Sequence, residues 1–200
     1  MVPDTTKGPR LTERFEEAFE LACDLHRNQP RKSTKVPYIS HLMSVAALVL
    51  EDGGDEDEAI AALLHDALED AADRITAEDI QRRFGPKVRT MVEACTDTEP
   101  GFAGGEKSHW RSRKDAYIQK VKSADGTHRV SLADKVHNVR CILRDYRADG
   151  EAVWDRFKGA RDGTLWYYLE LAKAYRAAGA TGYLMEELEE AVGRLKRTVD

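Results

Sequence analysis

The sequence has no apolar run approaching the ~18 residues that a membrane span requires, and Met1 to Arg10 lacks the apolar stretch of a signal peptide. Both absences predict a soluble, cytoplasmic protein with no membrane partner. Cysteine is scarce: Cys23, Cys95 and Cys141 stand far apart with no Cys-x-x-Cys pair. That spacing excludes a disulfide framework and a zinc ribbon, and predicts three small buried hydrophobes. The strict apolar/polar alternation of half-buried strands is nearly missing. No internal repeat, low-complexity tract or composition shift marks a boundary, so residues 1–200 are read as one domain. A pI of 5.7 and the lack of a recognisable module argue against a nucleic-acid partner.

What is present is helical. With 42% hydrophobic and 34% charged residues the chain can fill a core and keep a solvated skin. Phe15, Ala18, Phe19, Ala22 and Leu25 recur at helical spacing behind Thr12, a suitable N-cap, and predict a helix to about His26. Pro30 and Pro37 make Arg27 to Ile39 a loop. A second helix is expected over Ser40 to Asp52, stopped by Gly53-Gly54, and a third over Asp55 to Asp70. Thr76 to Asp79 is a capping-box variant opening a fourth, and Gly85-Pro86 ends it and starts the fifth. Further helices are expected over Ser108 to Ser123, Thr127 to Arg147, Thr164 to Ala178 and Thr181 to Arg197, with Asp125-Gly126 as a break. Thr98 to Lys107 is the stretch long and flexible enough for a flap, although a plain surface loop explains it as well. The fold class is all-α.

Charge is uneven along the chain. Glu51 to Asp79 holds 12 acids and one base, Arg74, whereas Lys107 to Arg147 holds 11 bases and 4 acids. Solvated helix faces account for many of these, but the pairing also suits a metal ion beside a polyanionic ligand. The densest polar signal is His65-Asp-Ala-Leu-Glu-Asp70, directly after the apolar Ala61 to Leu64. Continued helix would set His65 above Glu69 and Asp66 above Asp70. His41 opens another apolar helix, and Asp134 interrupts the apolar run Val130 to Val139. Two imidazoles and two carboxylates suit Mn²⁺, Fe²⁺ or a similar borderline cation better than a closed zinc site.

The order His41, His65-Asp66, Asp134 resembles the H…HD…D pattern of the HD phosphohydrolase superfamily. Arg31 to His41, Ala61 to Asp70, Arg83 to Val88 and Val130 to Arg140 resemble the hydrolase domain of RelA/SpoT homologues, and more narrowly a small alarmone hydrolase. The resemblance covers about residues 11–147, leaving 148–200 as helices packed on it. It implies an HD-type bundle of about eight to ten helices and metal-dependent removal of the 3′-pyrophosphate from (p)ppGpp or its adenosine analogue. By the same resemblance His41, His65, Asp66 and Asp134 hold one Mn²⁺, and Glu69 and Asp70 are the catalytic acids. Arg31, Lys32 and Ser33 hold the nucleotide, with Arg31 against the base. Asn138 lies beside the ribose, Tyr38 is near the pocket, and Lys135 and Arg140 either serve phosphate or form ordinary salt bridges.

Two positions depart from the family pattern. Thr34-Lys35 follows the Arg-Lys-Ser triplet where glycine is common, so the loop is expected to be stiffer. Cys141 replaces a threonine that faces the base, and a thiol is a weak hydrogen-bond partner. Guanine and adenine substrates are therefore expected within about tenfold of each other, since strong selectivity needs buried polar contacts. Three alternatives stay open. One is a phosphatase for the 2′-phosphate of NADPH or for a deoxynucleotide, another a catalytically silent alarmone sensor. The third treats Cys141 as a core residue. Homo-oligomerisation is compatible with all of them.

Overall fold

The computed structural model describes residues 10–96, 109–123 and 128–199, which divide into two compact units at Thr96/Asp97. The described residues are helical, the only β-type pairing among them being an isolated bridge between Pro30 and Pro37. None of the helices is long and apolar enough to cross a membrane. The expected flap at 98–107 and the break at Asp125-Gly126 lie outside the described residues.

In the first unit α1 spans Glu13–Leu25, α2 Ile39–Glu51, α3 Glu56–Leu64, α4 Ala67–Asp70, α5 Ala77–Phe84 and α6 Pro86–Cys95. The middle of this unit is α3, packed against α1, α2 and α6. Its sequence explains the position: Ala59 to Leu64 is apolar on every face, and all six residues are at most 1% exposed. Its polar N-terminus stays in solvent, closed by a reciprocal capping box between Asp55 and Glu58. Arg14 of α1 reaches that end, donating to Glu56 at 3.0 Å, to Asp57 at 2.7 Å and to the Phe84 carbonyl at 2.7 Å. Thr12 caps α1 and Thr76 with Asp79 caps α5, as the sequence predicts. Gly53 takes φ 79°, and the N–H groups of Gly53 and Gly54 close the last turn of α2 onto Leu50 and Val49.

The expected third helix over Asp55 to Asp70 is a correction: it breaks at His65-Asp66 into α3 and the four-residue α4. The His65 ring explains the break. Its Nδ1 lies 2.8 Å from the Ala62 carbonyl, beside the acceptor that a continuing helix would give to the Asp66 N–H. The chain restarts from Asp66, whose carbonyl accepts from the N–H groups of Glu69 and Asp70.

In the second unit α7 spans Trp110–Ser123, α8 Arg129–Asp149, α9 Ala160–Ala177 and α10 Tyr183–Val199, with a 3₁₀ turn at Gly150–Arg156. α8 lies against α10 and the 3₁₀ turn, and α9 against α7 and α10. Tyr175 of α9 donates to Ser131 of α8 at 3.0 Å, a buried polar tie. At Gly159 a Cβ would stand 2.6 Å from the Trp110 ring, so glycine is what lets α7 meet the start of α9. The three cysteines are a second correction. Each is partly exposed rather than buried, because each sits at the margin of a helix's apolar stripe.

Candidate metal and active site

The site is built from the loop after α1, the first turn of α2 and the break between α3 and α4. Pro30 and Pro37 pair across the loop, with Arg31 N–H donating to Val36 at 2.7 Å and Tyr38 N–H to Gln29 at 2.8 Å. Between them Ser33 takes φ 57°, and Thr34 braces the turn by donating its hydroxyl to the Arg31 carbonyl at 3.0 Å. The left-handed residue of the turn is Ser33 rather than the position that follows it. Lys32 and Ser33 are exposed at the tip. The Arg31 guanidinium lies 5.5 Å from the centre of the Tyr38 ring, a cation–π contact that sets its direction.

Tyr38 leads directly into α2, where His41 is 1% exposed. His65, equally buried, meets it edge to face, with ring centroids 5.1 Å apart. The Asp66 carboxylate closes the group: its Oδ2 is 3.0 Å from His65 Nε2 and 3.6 Å from His41 Nε2. One donor atom from each residue falls within 4.8 Å of the other two. The donor roles are constrained. A carbonyl only accepts, so the contact with Ala62 places a proton on His65 Nδ1, and Nε2 is the ring atom turned to Asp66. Two electron-rich atoms at 3.0 Å repel unless a cation or a proton lies between them. The donor set therefore fits a divalent ion with mixed nitrogen and oxygen ligation.

Tyr38 was expected beside the nucleotide, and here its hydroxyl donates to Asp66 Oδ2 at 2.6 Å. It steadies a ligand carboxylate. Glu69 is partly exposed and Asp70 exposed on α4, one turn beyond Asp66, and Asp70 accepts from Gln29 Nε2 at 2.8 Å. Gln29 was not singled out from the sequence. The available signal was His26-x-x-Gln29, two polar side chains three residues apart where a helix gives way to a proline-bounded loop.

The remaining predicted residues lie on α8 in the second unit. Asp134 is 6% exposed, accepts from Lys135 Nζ at 2.6 Å and from the Asn138 amide. Burial opposes the Lys135 charge, but the Asp134 carboxylate outweighs it, and the ammonium pKa stands well above its ordinary value. Arg140 is paired with Glu187. Cys141 Sγ lies 3.7–3.8 Å from the ring nitrogens of His137.

With this geometry in view, the comparisons with known proteins are specific. The HD domain family pattern matches residues 18–165, which run through both units. Guanosine-3′,5′-bis(diphosphate) 3′-pyrophosphohydrolase MESH1 of Xenopus tropicalis is 37% identical over 131 residues, covering 64% of this chain and 69% of the relative. The Aquifex aeolicus guanosine-3′,5′-bis(diphosphate) 3′-pyrophosphohydrolase is 34% identical over 137 residues, 67% of this chain but only 18% of that longer protein. A solved structure, described as a metazoan ortholog of SpoT that hydrolyzes ppGpp and plays a role in starvation responses, superposes with a TM-score of 0.76 at 25% identity. That match covers 94% of this chain and 98% of the other. The chain belongs to the HD-domain family of hydrolases, on its alarmone-hydrolase branch.

Proposed function

We propose that this chain acts in the cytoplasm as a Mn²⁺-dependent hydrolase, one hydrolase domain overall, that removes the 3′-pyrophosphate of guanosine and adenosine alarmones. The observation that carries the reading is the convergence of His41, His65 and Asp66 on one point, with His65 Nε2 3.0 Å from a carboxylate oxygen. Asp134, the fourth position of the motif, completes the ligand set for a single ion. The names of the relatives support the substrate class.

A divalent ion held there would lower the pKa of water and polarise a phosphoryl oxygen. The chain's own residues do the rest. Glu69 and Asp70 orient the attacking water and take its proton, a contribution of ~10²–10⁴-fold for positioned acid–base groups. One water is consumed: its oxygen bonds to phosphorus, the bond from that phosphorus to the ribose 3′ oxygen breaks, and the 3′ oxygen leaves as a hydroxyl with release of pyrophosphate. Arg31, laid over Tyr38, holds the base, and Lys32 and Ser33 line the nucleotide from the exposed turn. Asn138 contacts the ribose. Lys135 and Arg140 turn to the phosphates, each exchanging a carboxylate for substrate. That exchange is natural for Lys135, because a cation on Asp134 removes the charge it now balances.

The test is a panel of 2′-, 3′- and 5′-phosphorylated purine nucleotides with purified protein and Mn²⁺. Pyrophosphate from the 3′ position supports the reading, and orthophosphate from the 2′-phosphate of NADPH or from a deoxynucleotide would replace it. Guanosine and adenosine 3′-pyrophosphates should give kcat/KM values within about tenfold of each other, and Cys141→Thr should move the ratio towards guanosine. A large guanosine preference untouched by Cys141→Thr would place selectivity elsewhere.

A further inference from the structure

The loop after α1 carries two polar side chains that metal binding leaves unused. His26 closes α1, is 3% exposed, and stacks on Tyr38 with ring centroids 5.1 Å apart and planes 20° apart. Its Nδ1 lies 2.7 Å from Gln29 Oε1, and Gln29 Nε2 donates to Asp70 Oδ2 at 2.8 Å. These contacts have one consistent set of roles. An ionised carboxylate only accepts, so Gln29 turns its NH₂ to Asp70 and its carbonyl oxygen to His26. That oxygen also only accepts, so His26 carries its proton on Nδ1.

A separate observation agrees. His26 Nε2 is buried with no hydrogen-bond partner among the described residues. A bare lone pair there costs less than an orphaned N–H, which folded proteins rarely bury. The buried ring thus fixes an amide, and the amide fixes an exposed carboxylate. The same ring backs Tyr38, whose hydroxyl holds Asp66.

We propose that Gln29 is a positioning residue for Asp70 and that His26 holds the Gln29 amide in its donating orientation. The inference rests on Asp70 being one of the two catalytic acids, and it deepens that reading. Asp70 ends a four-residue helix and is exposed, so without a tether it samples several rotamers. A carboxylate that must meet a water in one place loses rate when it is misplaced by even an ångström.

Two experiments test the proposal, and the first needs no substrate. Long-range ¹H–¹⁵N NMR at a pH where the ring is neutral should show His26 as the Nδ1–H tautomer in wild type and equally in Asp70→Ala, because the ring and not the carboxylate holds the amide. An Nε2–H tautomer in wild type, or a mixture of tautomers in Asp70→Ala, overturns the clamp. In the second, Gln29→Met keeps length without hydrogen bonds. On guanosine 3′,5′-bis(diphosphate) it should lower kcat about tenfold, leave KM within about twofold and leave Mn²⁺ affinity unchanged. In an Asp70→Asn background it should add almost nothing. Gln29→Glu, which keeps size and polarity but sets two carboxylates together, should lose kcat similarly. A fully additive loss, or a loss confined to KM, would make Gln29 merely structural and overturn the proposal. If wild type releases no pyrophosphate, the functional reading fails, and the NMR result alone decides the clamp.

Discussion

Asp66 and Asp134 are both aspartates of the same motif, one at a helix break and one within a helix, and their surroundings differ. The contacts of Asp66 include two imidazoles and a phenol hydroxyl. Asp134 holds an ammonium at 2.6 Å and an amide. The first arrangement sets ring nitrogens and a carboxylate around one point, donor types that suit a divalent cation. A buried carboxylate beside a lysine is satisfied without metal, and in the proposed ligand set an incoming ion would compete with the lysine for that oxygen. The comparison teaches that His41, His65 and Asp66 converge on one point within their unit, whereas the oxygens of Asp134 are engaged by neighbours on its own helix.

The largest expected effect comes from the first group. His65→Ala or Asp66→Ala should abolish bound Mn²⁺ and pyrophosphate release together, read by metal analysis and by product assay. Metal retained at wild-type affinity in both variants would break the comparison at its stronger side. Next comes Lys135→Met, which leaves Asp134 buried without its ammonium. Chelator-treated protein should lose ~3–5 kcal/mol in urea unfolding, the usual cost of breaking a buried pair. Mn²⁺ should restore part of that loss. An equal loss with and without the ion would remove Asp134 from the ligand set.

The acid pair separates chemistry from binding. Glu69→Gln and Asp70→Asn should each lower kcat by ~10²-fold with metal still bound. Wild-type kcat in both variants would reduce the pair to a solvated helix end. The smallest effect belongs to Asp79, a surface carboxylate that serves as a control. Hydrogen bonds from Thr76 first, and then Arg82, lower its pKa from 3.8 to about 2. A lowered folded-state pKa gives stability that is complete above the unfolded value and is lost as pH falls through the folded one. The stability difference between wild type and Asp79→Asn should therefore be present at pH 5, decline below 3.8 and vanish near 2. A difference that persists at pH 2 would trace it to packing.

Helices set by caps and periodicity were legible in the chain. Thr12, Thr76 with Asp79, Gly53 and Gly85-Pro86 mark ends that depend on neighbours a few residues away. The break at His65-Asp66 was not, since apolar periodicity continues through it and cannot report a side chain sitting on a backbone acceptor. The 3₁₀ turn at Gly150–Arg156 and the start of α9 at Ala160, ahead of the expected Thr164, went unread for a similar reason. Trp110 meets Gly159 from 49 residues away. Within the site, the residue types and motif order pointed to His41, His65 and Asp66, which the structure brings together. The contacts of Tyr38 with Asp66 and of Gln29 with Asp70 join residues 28 and 41 positions apart. No spacing rule reaches that far.

The most direct test of the central claim is a titration of Mn²⁺ into chelator-stripped protein, following bound metal and pyrophosphate released from guanosine 3′,5′-bis(diphosphate) in the same samples. The account predicts no release without metal, and release that rises in step with bound Mn²⁺ until one ion per chain is reached. Full release in excess chelator, or metal uptake with no change in release, would contradict it.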